Sequence, residues 1–591
     1  MLMSVFKQIF TALWASEHGQ FLLIWITITT AAAICVAIAV GQVVTPSSQK
    51  ATQRTINLIM TWRQVGTPRA VVTLALLAAF LVCYIAITLV WEDFAYFDNE
   101  YFTLHTLQGH NISLRIHPGS GRFFPLGFME FNLIRHFTDT NIGYHVLPIA
   151  QLLIFFCILL ILDAELGITA RAALAVLALL TPSILTSFGG LIFPERNFLF
   201  FLACLVLSVR YFEQSPSIVW AVAAVVSAQI MIYNQETAPL LLLGFATGRL
   251  ILRCRNGHHA GWDHARLWDK ESRLDLCLAS LGVLFLLYYF AVMGIHGNIN
   301  YAVTARQPLA EIILAYLRVD LLAWLLVAFV LGRIYLILRH RMAPLLLWDG
   351  LALGGVVCFL AFLYLGMFSI YYLAPVDLIA VLYVGRFTVL SWKKTRSWGK
   401  TAAALLAILV VLQDVTVSAF AEFERKNYIR GRVEIAAVVE TQYRNYTGND
   451  LRLFFPFSTP YQIMEFASYL NYRGVPVEGA VDKAGDVNSV VLTTRAIAKD
   501  CPCAEWEEIR CHAVSGAAPG DLVVVLPDDR ASLAEASVYR ERGELLFFYQ
   551  PRPPIPHWLH SLFDSLHIYT TRYTPKTNPD RWMDGSVTAW K

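Results

Sequence analysis

The sequence predicts an α-helical polytopic membrane protein of about twelve crossings, followed by a C-terminal α/β domain outside the bilayer. Three observations predict it. Only 15% of the 591 residues are charged and 57% are hydrophobic, against roughly a quarter charged in ordinary soluble domains. The apolar residues come in long blocks rather than amphipathic periods, and a hydrocarbon layer about 30 Å thick takes roughly 20 of them per crossing. Past residue 420 the blocks give way to a mixed, polar sequence. A water-soluble enzyme is excluded, and a net charge of +3 is too small an excess to point to a nucleic-acid partner.

The blocks fall at 21–44, 70–91, 146–165, 172–190, 197–213, 217–233, 236–252, 275–295, 319–338, 350–371, 376–391 and 402–420, with 5–15 read as a short interfacial helix. No small-residue cleavage site follows a short apolar run, so no cleavable signal peptide is expected. Orientation follows from Lys and Arg, which collect in cytoplasmic loops. Three basic connectors, 253–273, 339–341 and 393–400, lie an even number of crossings apart and share one side. Counting outwards places 92–145, 190–197, 234–236, 296–318, 372–376 and everything after 420 on the opposite face.

The chain therefore divides into a transmembrane domain, 1–420, with its large outer loop 92–145, and an outer domain, 421–591. Within the latter, Leu451–Phe457, Ser489–Thr493, Asp521–Pro527 and Glu544–Tyr549 read as strands, and Tyr461–Tyr472 and Ser532–Arg542 as helices. Seven of the ten cysteines fall in or beside apolar blocks. The other three are Cys501, Cys503 and Cys511. A disulfide from Cys511 to one of the other two suits an oxidising compartment, and a three-cysteine zinc site is the alternative.

Candidate chemistry lies on the outer side. Loop 92–145 opens with Glu92, Asp93, Asp98 and Glu100 interleaved with Phe94, Tyr96, Phe97 and Tyr101. Such a run is either a solvated helix end in the aromatic belt or a carboxylate in a partly apolar mouth, suited to taking a proton from an acceptor hydroxyl. Asp98 is favoured over Asp93, and Glu92 and Glu100 are assigned to substrate binding. Further on, Arg122 stands among glycines in Gly119–Gly127, where it either clamps a phosphate in bidentate fashion or pairs with a local carboxylate.

Two short turns carry charge on the same side: Phe193-Pro194-Glu195-Arg196-Asn197 and Tyr233-Asn234-Gln235-Glu236-Thr237. Charges at that depth face a cavity or one another. Glu195 and Arg196 are either catalytic and substrate-binding groups or an adjacent pair with one member inward and one outward. Glu236 is either a second catalytic carboxylate or a plain helix cap. Arg306 in 296–318 is another candidate phosphate contact. Asp414 is expected to be hydrogen-bonded near the outer end of its helix. His258, His259 and His264 need no role beyond charge on the inner side. No P-loop, GxSxG or HExxH is present.

The pattern resembles the GT-C glycosyltransferases, polytopic enzymes that use a polyprenyl-phosphate-linked sugar. The resemblance implies an acid in the first large outer loop, matched by Asp93 or Asp98, and a later one, matched by Glu195 or Glu236. Tyr372-Leu373-Ala374-Pro375 is similar to the Tyr-x-x-Pro turn near the family's lipid-phosphate site, with Tyr371 where relatives have a basic residue. It implies a transferase in a bacterial inner membrane with a periplasmic C-terminal domain. The partners implied are a polyprenyl-phosphate sugar and a glycan, lipid or protein acceptor. No metal ligand is assigned, and a divalent cation, Mg or Mn, is an open option. The rival readings are an O-antigen ligase or polymerase and a lipid or glycan transporter. A transporter predicts inverted repeats and charges in mid-membrane, whereas the charges read from this sequence crowd one face.

Overall fold

The structure is a computed structural model. It describes residues 68–90, 93–96, 103–109, 111–112, 114–117, 122–255, 270–296, 308–392, 395–446, 451–455, 460–479, 490–493, 522–526, 543–549 and 585–590, with positions 26 and 29. The readings placed on Asp98, Glu92, Glu100, Arg306, the loop histidines His258, His259 and His264, helix 532–542 and the three outer cysteines lie outside the described residues.

Among the described residues, eight helices are long and apolar enough to cross a membrane, or nine if one bent pair counts as a span. The protein is a multi-pass membrane protein. Three of the twelve expected crossings account for most of the shortfall. Block 21–44 lies almost wholly outside the described residues. Block 217–233 forms Ile218–Asn234, which has 17 residues. Block 236–252 becomes Ala238–Arg255, whose apolar stripe is interrupted by Arg249, Arg253 and Arg255.

The bent pair has a plain cause. Pro182 lacks the N–H that would continue helix Ile168–Leu180, so the chain restarts as Pro182–Gly189 at 69°. In a low-dielectric setting the freed carbonyls need donors. The Thr181 hydroxyl donates to the Ala178 carbonyl at 2.8 Å and that of Ser418 to the Leu180 carbonyl at 2.7 Å.

Contacts divide the chain into two units: residues 1–90, 113–130 and 145–419, and residues 91–112, 131–144 and 420–591. Loop 92–145 is thus shared between them, and helix Ser397–Asn445 runs through the boundary. In the first unit, Ala238–Arg255 packs on Leu346–Leu365 through glycines. A Cβ on Gly354 would lie 2.7 Å from the Leu241 carbonyl oxygen, and one on Gly244 would lie 2.9 Å from the Gly354 Cα. Small residues let helix backbones approach in this way, where lipid offers no hydrophobic drive. Gly354→Leu is therefore expected to destabilise by roughly 1–3 kcal/mol. Gly332→Leu, with nothing within 4 Å of its Cβ position, should leave thermal unfolding in detergent unchanged.

Buried ion pairs tie the helices elsewhere, so charges do not crowd one face. Arg249 Nε meets Asp275 Oδ1 at 2.7 Å and its Nη1 meets Glu213 Oε1 at 2.7 Å, with Arg253 on the other Asp275 oxygen at 3.3 Å. Arg333 holds Asp349 at 2.5 and 3.1 Å, and the Tyr383 hydroxyl donates to the same carboxylate at 2.6 Å. Arg386 pairs with Asp163, and with Glu165 at 2.6 Å.

Three further acids, Asp320, Asp377 and Asp414, are at most 2% exposed. Asp320 caps Leu321–Leu338, accepting from the N–H of Leu322 and Ala323 at 2.8 and 3.1 Å. Asp377 takes the Ser183 hydroxyl. One Asp414 oxygen, Oδ2, has no hydrogen-bond partner among the described residues.

The second unit holds a mixed six-stranded sheet. After β1 (Ile116–His117) and β2 (Arg122–Phe123) of the first unit, the strands are β3 (Arg452–Phe455), β4 (Glu478–Gly479), β5 (Val490–Thr493), β6 (Leu522–Val525), β7 (Gly543–Tyr549) and β8 (Gly585–Trp590). Their order is β4-β5-β3-β6-β8-β7, with β3 and β6 parallel. Leu453, Phe454 and Phe455 on β3 are buried. Helix Pro460–Tyr472 follows β3 and buries Ile463, Phe466 and Leu470.

Candidate active site

Within the first unit, four segments far apart in sequence meet in one polar network. Hairpin β1–β2 pairs Ile116 with Phe123 and His117 with Arg122. The Phe123 ring, fully buried, packs edge-on against Phe285, Tyr288 and Tyr289 with centroids 5.2–5.6 Å away. That wedge fixes the backbone, and the Phe123 N–H donates to Glu236 Oε1 at 2.9 Å. A second tie runs from the Leu126 N–H to the Tyr233 carbonyl at 3.0 Å. Gly127 makes the following turn because a Cβ there would lie 2.2 Å from the Phe124 ring.

Glu130 closes the network. Its Oε1 accepts from Arg196 Nη2 at 2.8 Å and from Asn197 Nδ2 at 3.0 Å. Asn197 also donates to Asn234 Oδ1 at 3.2 Å and accepts from Gln151 Nε2 at 2.9 Å. Glu195, in the first turn of Glu195–Gln214, accepts from Gln235 Nε2 at 2.6 Å, and the Glu236 N–H donates to Gln235 Oε1 at 3.0 Å. A carboxylate at a helix start is favoured by the aligned peptide dipoles.

Accessibility separates the acids. Glu195 is 1% exposed and Arg196 is wholly buried, so the adjacent pair sends both members inward rather than one each way. Arg196 is held by Glu130 and by the Leu191 carbonyl at 3.2 Å, so in this network it braces Glu130. Glu236 and Glu130 are half-buried and reach solvent. Among the described acids of this network, they are the ones an incoming substrate can touch.

The remaining candidates are placed as follows. Asp93 belongs to the second unit, where its charge, after burial, raises the Tyr469 hydroxyl above its ordinary value. Arg122 has its backbone in β2. Tyr372, 7% exposed, lies flat on Phe362 with centroids 5.3 Å apart, so its ring serves packing. Its neighbour Tyr371 meets Phe193 at 4.7 Å.

Sequence reasoning missed Glu130, and it quoted Asn197, Asn234 and Gln235 without assigning them work. The available signal was amide side chains at the ends of apolar blocks, where each needs a partner. Among the described residues, no three His, Cys, Asp or Glu side chains are gathered so as to hold a metal ion.

No protein-family model matches the chain, and no curated protein matches it. Among solved structures it is similar to ArnT from Cupriavidus metallidurans bound to undecaprenyl phosphate. The identity is 13%, over 69% of this chain and 85% of that one, with a TM-score of 0.41. At that TM-score the likeness decides neither fold nor chemistry.

Proposed function

We propose that the protein is a membrane glycosyltransferase that moves a sugar from a polyprenyl-phosphate donor to a glycan, lipid or protein acceptor. The reading places it in a bacterial inner membrane with the second unit's sheet on the periplasmic side. The observation that carries it is the pair of reachable carboxylates, Glu236 and Glu130, held by a backbone N–H and by the buried Arg196 and Asn197 where apolar helices begin. Outside the cytoplasm nucleotide sugars are absent, so a transferase there needs a donor anchored in the bilayer. Such a lipid presents its anomeric carbon at headgroup depth, the level of these helix ends.

In this reading Glu236 is the general base. The acceptor hydroxyl oxygen attacks the anomeric carbon and its proton passes to the Glu236 carboxylate. The bond from that carbon to the phosphate oxygen breaks, and its electron pair leaves with the polyprenyl phosphate. Glu195 and Gln235 hold the turn that carries Glu236, and Arg196 orients Glu130. Arg122 and Arg306 remain the proposed cations for the departing phosphate, and Asp98 the proposed acid of the first loop.

The test is photo-crosslinking of a diazirine-bearing polyprenyl phosphate to the purified full chain. Adducts within 122–130, 191–197 or 233–237 are expected. Adducts confined to other segments would remove the site assignment.

A second reading, a lipid or glycan transporter, is favoured by one observation: the 69° break beside buried Asp377. It requires labelled lipid to change leaflets in proteoliposomes without any sugar leaving its phosphate.

A further inference from the structure

We infer that the bundle end opposite Glu236 binds the phosphodiester headgroup of an anionic glycerophospholipid through Arg255, Arg339, Arg341 and Tyr335. Helix Ala238–Arg255 starts beside Glu236 and has 18 residues, so Arg255 lies about 27 Å from that end, close to the depth of a hydrocarbon layer. Arg255 Nη2 donates to the Leu338 carbonyl at 3.5 Å, which joins the ends of this helix and of Leu321–Leu338. Arginines further inside the same two helices are matched to acids: Arg249 and Arg253 to Asp275, and Arg333 to Asp349. Among the described residues, Arg255, Arg339 and Arg341 meet no carboxylate.

Arg339 and Arg341 are not needed as helix caps either. The N–H groups of Arg339, His340 and Arg341 donate to the carbonyls of Tyr335, Ile337 and Leu336 at 3.0, 3.0 and 2.9 Å, so the backbone closes its own end. That turn takes a left-handed residue, and His340 stands there at φ 52° where glycine is usual. Beyond it, Arg333 holds the Ala343 carbonyl at 3.1 Å and the Leu345 N–H donates to Asp349 at 2.7 Å. The loop is thus fixed on both sides while Arg339 and Arg341 stay exposed.

The surface beside them selects the ligand. The Arg339 guanidinium lies 5.5 Å from the Tyr335 ring centroid, and Tyr335 is 54% exposed. Leu331, Tyr335 and Leu338, spaced i, i+4 and i+7, form one exposed stripe that runs into the cations. Acyl chains lie along such a stripe, and phosphate oxygens accept from guanidinium forks and a tyrosine hydroxyl. A soluble phosphate would use the cations and leave the stripe idle. A zwitterionic lipid would bring its own cation against three of the protein's.

Lipid binding at this end does not depend on the transferase reading, and no lipid-linked sugar enters the experiment. The delipidated full chain in detergent is titrated with dioleoyl phosphatidylglycerol, dioleoyl phosphatidylcholine or glycerol 3-phosphate, and native mass spectrometry counts the adducts. Phosphatidylglycerol is expected to bind at least about five-fold more tightly than phosphatidylcholine, with no adduct of glycerol 3-phosphate. An arginine near a membrane surface contributes about five-fold. Arg339→Gln/Arg341→Gln should therefore weaken phosphatidylglycerol about twenty-five-fold, and Arg255→Gln about five-fold. Arg430→Gln/Arg444→Gln, which removes the same charge from exposed side chains of the second unit, should change nothing. Equal binding of the two lipids, equal losses in the two double variants, or glycerol 3-phosphate binding as tightly as the lipid overturns the proposal. Should Arg339→Gln/Arg341→Gln fail to fold, Arg255→Gln decides it.

Discussion

Glu236→Gln is expected to lower sugar transfer from a polyprenyl-phosphate donor by about a hundred-fold or more, the usual worth of a positioned general base. The change is chosen because it separates chemistry from structure. Glutamine keeps an oxygen where Glu236 Oε1 takes the Phe123 N–H at 2.9 Å, so the tie between hairpin and turn survives. What is lost is the ability to accept a proton. Thermal unfolding should therefore match the parent chain while turnover collapses. Glu236→Asp shortens the reach and should damage both. If Glu236→Gln keeps full turnover and Glu130→Gln abolishes it, the base is Glu130, the other half-buried acid of the described network.

Arg249→Met is expected to give the largest loss of stability, roughly 3–5 kcal/mol, because it strands buried charge. Arg249 is 1% exposed and joins three helices through Asp275 and Glu213. Removing it leaves Asp275, fully buried, with only the longer contact to Arg253 among the described residues. The double variant Arg249→Met/Asp275→Leu should recover part of the loss, since an apolar pair replaces an unbalanced charge. Heat unfolding in detergent, followed by tryptophan fluorescence, measures both. Equal stability of the single and double variants would show that the pair is not coupled.

Membrane character was legible because it depends on run length alone. Blocks 146–165, 319–338 and 376–391 reappear as Asn141–Leu162, Leu321–Leu338 and Ala374–Ser391. The strand runs at Leu451–Phe457 and Asp521–Pro527 hold β3 and β6, since short apolar stretches bounded by polar residues favour buried strands. The break at residue 181 was harder, because block 172–190 carries no charge and only Pro182, between Thr181 and Ser183, marks the bend. Arg249, Arg333 and Arg386 also passed unnoticed inside their blocks. Their acids lie 26, 16 and 223 residues away, and composition carries no record of such pairing.

The site was legible in its parts and not in its assembly. The turns at 193–197 and 233–237 stand out as charge at helix ends. Glu130 does not, because its meaning comes from Arg196, 66 residues on. Burial is likewise a property of packing: Glu195 and Glu236 look alike in sequence, yet one is enclosed and the other half-open.

The central claim is that reachable carboxylates at the ends of apolar helices act on a sugar delivered by a lipid. Purified protein in proteoliposomes, supplied with labelled polyprenyl-phosphate hexoses and pentoses and with envelope glycans and lipids as acceptors, tests it most directly. Label should leave the lipid and free polyprenyl phosphate should accumulate, with both signals lost in the Glu236→Gln/Glu130→Gln double variant. A lipid-linked sugar that stays intact with every acceptor, or is consumed equally by the double variant, would contradict it.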